Sequence, residues 1–278
     1  MQIVYATVLH TLTHTNTHTH THNQENASDT AKNTLRLARH TAAKLLVTTN
    51  PGLLTNAQRM GSIKPLLELI RDHDASDLQH FEALMAITNI AVTGDDAKNR
   101  IVSEKGISTL SYAMFSDHEE VRRAGTEALC NLVPHSAIMK HLADPDNLRL
   151  WNAFAADYET NFECARAAAG CLAMSTHDPA VAEALVGLPT FKDNISTMLE
   201  SGNLEIMHRT LVVVLNLVDH GGDIRAMAVK AGLVTFCSAY VESYHDGNKA
   251  VDLGFSEQDT SIMKATVEVA KQIIQITG

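Results

Sequence analysis

Aromatic side chains make up only 5% of the 278 residues, and charged ones only 19%. With so little Phe, Trp and Tyr among 45% hydrophobic residues, the apolar stock is Ala, Leu, Val, Ile and Met. Such side chains pack between helices more readily than inside a β-sandwich. Proline is also scarce, at 6, and 14 glycines are far too few for a collagen-like chain. Cys130, Cys164, Cys171 and Cys237 have no C-x-x-C spacing and sit in apolar runs, which excludes a disulfide scaffold and reads as buried thiols of a reducing compartment. No run reaches the roughly 18 apolar residues of a membrane span, and no basic segment precedes the weakly apolar start. A cytoplasmic chain with no membrane partner is expected. Lys and Arg number 22 against 32 Asp and Glu, a formal charge of -10, whereas nucleic acids and anionic lipids call for a basic surface.

Catalytic signatures are missing too. There is no G-x-S-x-G, H-E-x-x-H, Walker A or G-x-G-x-x-G. His135, His141, His177 and His220 fall in predicted loops or helix ends, where capping or solvation is the ordinary role. The chain is therefore expected to be non-enzymatic, with no catalytic or metal-binding residue and no cofactor.

The first 30 residues differ from the rest. Residues 10–22 read HTLTHTNTHTHTH, without formal charge, and offer neither a helical face nor a core, so residues 1–30 are expected to be disordered. Alternate histidines in a flexible tract set no metal geometry. A CACACA repeat read in any frame also alternates His and Thr, so the tract fits a translated microsatellite equally well. Residues 31–278 form the structured part.

A period of about 42 runs through that part. FEALMAITNIA from Phe81, RAGTEALCNLV from Arg123, ARAAAGCLAMS from Ala165 and HRTLVVVLNLV from His208 superpose. Their ninth positions, Asn89, Asn131, Ala173 and Asn216, are spaced by 42, 42 and 43. A second phase agrees: Gly106 and Gly232 each lead an apolar run and lie three periods apart, with Gly61 and Pro65 near the same phase one period earlier. Helical units of this length form HEAT or armadillo solenoids. A long last helix containing A/L-x-x-N-L/I-A/V, preceded by a shorter Gly-led helix, favours the armadillo type. The sequence thus predicts an all-α, armadillo-type helical-repeat solenoid of about five repeats, with a C-terminal capping helix from Ser256. Ser76 and Asp77, Asp117, and Asp178-Pro179 read as helix starts, and Pro65 is expected in the first turn of its helix.

In such a solenoid the long helices line a groove, and residues four apart stay near one side. The predicted stripe is Phe81, Met85, Asn89; Arg123, Glu127, Asn131; Ala165, Ala169, Ala173; and His208, Val212, Asn216. An Asn ladder can clamp the main chain of an extended peptide, or each Asn can bond a neighbouring helix end. The alanines would leave a shallow apolar depression. Arg166 and Arg209 share one register and either present cations or pair with Glu163 and Glu205.

The runs NPGLLTNAQRMGSIKPLLELI, FEALMAITNIA, YAMFSDHEEVRRAGTEALCNLV, AAAGCLAM and MHRTLVVVLNLV resemble the C-terminal part of the UCS-domain myosin chaperones, over roughly Arg39 to Gln275. The resemblance implies an armadillo solenoid that engages the myosin motor domain, its client, to assist folding and prevent aggregation. Asn89, Asn131, His208, Arg209 and Asn216 stand where the family's repeat motifs stand. Heat-shock chaperones would be reached only through a tetratricopeptide module that this sequence lacks. Nuclear-import adaptors carry Trp four residues before the ladder Asn, whereas Met85, Glu127, Ala169 and Val212 stand there in this chain. A generic armadillo scaffold bridging folded proteins is the alternative.

Overall fold

The computed structural model describes residues 24–133, 135–244 and 256–278, which form fifteen α-helices and, among the described residues, no strand. The first is α1 (Gln24–Thr48), which after a 3-10 turn at Pro51–Leu53 leads into α2 (Asn56–Ile70) and α3 (Asp77–Ala91). Three-helix repeats then follow. They are α4 (Asp95–Ser103), α5 (Gly106–Ala113) and α6 (Glu119–Cys130); α7 (Ser136–Leu142), α8 (Pro145–Ala156) and α9 (Phe162–Ser175). Next come α10 (Pro179–Val186), α11 (Phe191–Leu199) and α12 (Leu204–Asp219), then α13 (Gly222–Lys230), α14 (Leu233–Tyr244) and α15 (Glu257–Thr277). With α2 and α3 as the first, five repeats result, and the expected capping helix α15 closes the last. The chain divides into two compact units, one ending at His135 and one beginning at Ser136.

In the first unit α3 packs between α1 and α6. Helix α1 buries Ala42, Ala43 and Leu46, and its polar edge is fastened to the repeat behind it. Arg36 pairs with Asp72 at 2.7 Å and Asp74 at 3.0 Å, Arg39 with Glu68, and His40 with Glu82. The Arg36 hydrogen bond, helped by that guanidinium's charge, holds the Asp72 carboxyl below its ordinary range although burial opposes the shift. In the second unit α12 packs between α9 and α15, while α8 supplies the fully buried Trp151. The long helices are thus the spine of each unit, and the short ones fill behind them.

Local chemistry accounts for most helix starts. Ser76 and Gln79 form a capping box at α3, and the Asp178 carboxylate accepts from the Ala180 and Val181 amides ahead of α10, with Pro179 in the first turn. Three expectations need correction. Helix α1 begins at Gln24, so seven residues of the segment expected to be disordered are helical; residues 1–23 lie outside the described residues. Asp29 supplies negative charge near its start, favouring a helix there. The α6 N-cap is His118, not Asp117, and it makes no side-chain capping bond. Pro65 lies inside α2, because a Thr55–Gln58 capping box starts that helix ten positions earlier. The carbonyl that loses its helical donor to Pro65 belongs to the exposed Gly61, where water can serve it.

Gly106 and Gly232, at one repeat phase, serve different ends. Gly232 turns the chain at φ +85° with open space about it. In the earlier repeat the left-handed residue is Lys105, at φ +62°, and Gly106 instead lies so close to Ile101 that a Cβ would collide with its side chain and carbonyl.

Candidate functional site

Along each long helix, burial on one side and partial exposure on the other define a stripe. In the first unit it runs through Phe81, Met85 and Asn89 on α3 and through Arg123, Glu127 and Asn131 on α6, all half-buried. The Arg123 guanidinium lies over the Phe81 ring, 5.9 Å from its centroid, and pairs with Glu120 at 2.8 Å. This contact brings two of the predicted residues together across neighbouring repeats, with a cation held on a ring face.

In the second unit the stripe on α12 contains His208, Arg209, Val212 and Asn216, again half-buried. On α9 it departs from expectation. Ala165 and Ala169 are fully buried, so neither lines a surface, and the exposed line runs through Arg166, Gly170 and Ala173. Each step of four residues rotates about 40° past a full turn, so stepping back eight from Ala173 swings about 80° into the packed side. The expected apolar depression is filled as well. Arg209 lies across Gly170, where a Cβ would meet Nη1 at 3.3 Å, and donates to the Arg166 carbonyl.

Arg209 also pairs with Glu205 at 3.5 Å, and Arg166 pairs with Glu163 at 2.8 Å and Glu205 at 3.5 Å. Of the two readings kept for these arginines, pairing describes the geometry. Burial works against the Arg166 charge, but Glu163 and Glu205 outweigh it and raise its pKa. His208 contacts the Thr266 hydroxyl of α15 at 3.2 Å through Nδ1. Burial, assisted by the neighbouring Arg209 charge, lowers its pKa.

Two residues of the Asn ladder, Asn131 and Asn216, bond back to the preceding repeat. Asn216 Nδ2 donates to the Ala173 carbonyl at 2.9 Å and to Thr176 Oγ1 at 3.0 Å. His220 Nε2 donates to the Thr176 carbonyl at 2.9 Å. Asn131 Nδ2 donates more weakly, at 3.4 Å, to the Thr88 carbonyl at the end of α3. The last carbonyls of a helix have no partner within it, and in each case the following repeat supplies one. Asn89 occupies the same register beside α1 without such a bond among the described residues. The sequence signal for this bond was the spacing itself: the acceptor lies 43 residues before each Asn.

Among the described residues, no group of three or more His, Cys, Asp or Glu is placed to hold a metal ion, and no single helix is long and apolar enough to cross a membrane. Cys237 is deeply buried, which pushes its thiol up to about 12, far from thiolate chemistry at neutral pH.

The fold and its stripes define an armadillo-type helical-repeat protein. No protein-family model matches the chain. It is similar to unc-45 homolog B of Danio rerio, 31% identical over 219 residues, covering 76% of this chain and 23% of that protein. The structure of UNC-45 from Drosophila melanogaster superposes with a TM-score of 0.79 and 25% identity, covering 98% of this chain and 31% of that one. The myosin chaperone UNC-45 from C. elegans, in complex with a Hsp90 peptide, shares the fold at TM-score 0.62 and 22% identity over 84% of this chain and 25% of its own. The chain belongs to the UNC-45 family, the UCS-domain proteins, and spans between a fifth and a third of the length of these relatives.

Proposed function

We propose that this chain is a client-binding portion of a myosin-directed chaperone, non-enzymatic and without a cofactor, which holds an unfolding segment of the myosin motor domain against the exposed stripes of its long helices. Family membership supports the client, and the observation that carries the site is the stripe of α3. Phe81, Met85 and Asn89 there combine an aromatic face, an adaptable thioether and an amide outside the inter-repeat bonds. An extended client segment needs apolar contact for affinity and main-chain hydrogen bonds for indifference to sequence, and this stretch offers both.

A second reading, a rigid armadillo scaffold for folded partners, has its own observation. Asn131, Asn216, Arg166 and Arg209 all direct donors into the solenoid, as a surface built for rigidity would. Light scattering of a myosin motor domain on heating, with and without the chain, tests the proposal. Suppressed scattering together with negligible capture of the native motor supports the chaperone. Capture of the native motor without suppression supports the scaffold.

A further inference from the structure

A second surface lies at the opposite end of the long helices of the first unit. Where α2 ends, α3 begins, α5 ends and α6 begins, the chain forms a cavity of about 470 Å³ that opens to solvent. An adjoining cavity of about 260 Å³ shares Ile70, His73 and Tyr112 with it. Asp77, at the mouth, and Asn89 are twelve residues apart on α3, which places this site about 18 Å along the helix axis from the ladder end of the client stripe.

Two features of the lining decide what it can hold. Tyr112 and Phe115 are 73% and 53% exposed and, among the described residues, are the aromatic members of the exposed large apolar side chains. Among the described residues, the larger cavity's only formally charged lining residues are Asp77 and Asp117, with no Lys or Arg. The arginines close by lie outside that lining and point their donors at neutral groups of their own chain. Arg71, in the smaller cavity, donates to Thr109 Oγ1 and the Glu104 carbonyl, and Arg122 donates to the Ser116 carbonyl. Three imidazoles complete the polar wall, those of His73, His80 and His118. His80 Nε2 faces the Asp72 carbonyl at 3.0 Å and so carries the proton, which leaves Nδ1 an acceptor while the ring is neutral.

We infer that this cavity is a docking site for an arginine side chain presented by a partner polypeptide. A guanidinium is planar, stacks on aromatic faces, carries five donors and keeps its charge. Aromatic surface for the plane, carboxylates for the charge and an imidazole acceptor for a remaining donor are the complementary set. Among the described residues, an anionic ligand in the larger cavity would meet two carboxylates and no Lys or Arg in its lining. A purely apolar one would strand the polar wall.

The test uses the whole chain and two small probes, acetyl-arginine-methylamide and its uncharged near-isostere acetyl-citrulline-methylamide, titrated while the ring signals of Tyr112 and Phe115 are followed by NMR. Saturable shifts with the arginine probe are expected, with the citrulline probe about tenfold weaker because the charge is gone. Asp117→Asn and Tyr112→Leu should each weaken binding by about threefold or more, and Tyr112→Phe should retain it, since the ring face is what it supplies. Equal response to the two probes, no saturable response, undiminished binding by folded Asp117→Asn or Tyr112→Leu, or tighter binding of acetyl-phosphoserine-methylamide would each overturn the inference. Met85→Arg, on the client stripe, should leave arginine-probe binding intact, so failure of either surface is seen apart from the other.

Discussion

The side-chain amide of Asn216 reaches back 43 residues to donate to the Ala173 carbonyl at 2.9 Å, making one repeat the C-terminal cap of the one before it. Thr176 Oγ1 takes the second amide bond and itself donates to the Leu172 carbonyl at 2.8 Å. Asn216→Ala should therefore leave a partly buried helix end unpaired and cost about 1–3 kcal/mol of folding stability. Asn89→Ala, without that bond, should change stability by less than about 0.5 kcal/mol. Chemical denaturation of both variants, with Trp151 fluorescence reporting the second unit and circular dichroism the whole, checks the contrast. Equal effects would show that the inter-repeat bond contributes nothing special.

Gly106→Ala and Gly232→Ala should also part company. A methyl at Gly106 drives into Ile101, so the variant is overpacked and should lose about 1–3 kcal/mol or fail to fold. At Gly232 space is open and only the left-handed backbone resists, for about 1 kcal/mol. Lys105→Gly removes the same strain and should stabilise the first unit. Urea midpoints give the order, and a Gly232→Ala loss larger than that of Gly106→Ala would contradict it.

Much of this was legible in the sequence. The 42-residue period, the long-helix positions and the Ser76 and Asp178 starts follow from apolar spacing and capping chemistry, both local. What lay beyond reach was rotational phase and partner choice. Ala169 and Gly170 are adjacent in sequence, yet one is buried and the other lies under Arg209, a difference fixed by how α9 turns against α12. Asn131 reads equally as a client clamp and as a cap until the position of the Thr88 carbonyl is known. The aromatic cavity at Tyr112 has no local signature, because its walls come from two stretches, residues 70–80 and 112–121, that only packing brings together.

Stability should fall on mild acidification. Burial lowers the pKa of both His208 and His141, so the unfolded chain binds protons more readily than the folded one below the ordinary value of about 6.5. That contribution is complete above about pH 6.5 and is lost as pH falls through the lowered native values. A second loss belongs to Asp72, whose carboxyl is held low by Arg36; it begins below the ordinary carboxylate value of about 3.9. Thermal midpoints between pH 8 and 3 should show the first step and the onset of the second, with the first reduced in His208→Gln and the second in Asp72→Asn. A midpoint flat from pH 7 to 5 would count against the histidine assignment.

Asn152 is fully buried in α8, and among the described residues neither end of its amide has a hydrogen-bond partner. Burying such a group is costly, so Asn152→Leu, close in volume, should raise stability by about 1 kcal/mol or more. A lowered denaturation midpoint would show that the amide is served by a group yet to be found.

Holding of the unfolding client by the partly exposed stripes of the long helices is the core of the proposed function. Its most direct test is the heat-induced aggregation of a myosin motor domain in the presence of the parent chain, Met85→Arg and Val212→Arg, with each variant's unfolding midpoint measured alongside. The parent should suppress aggregation, and the two arginine variants, folded like the parent, should lose most of that protection because a long charged side chain stands on the apolar line of each unit. Full protection by both folded variants, or none by the parent, would contradict the account.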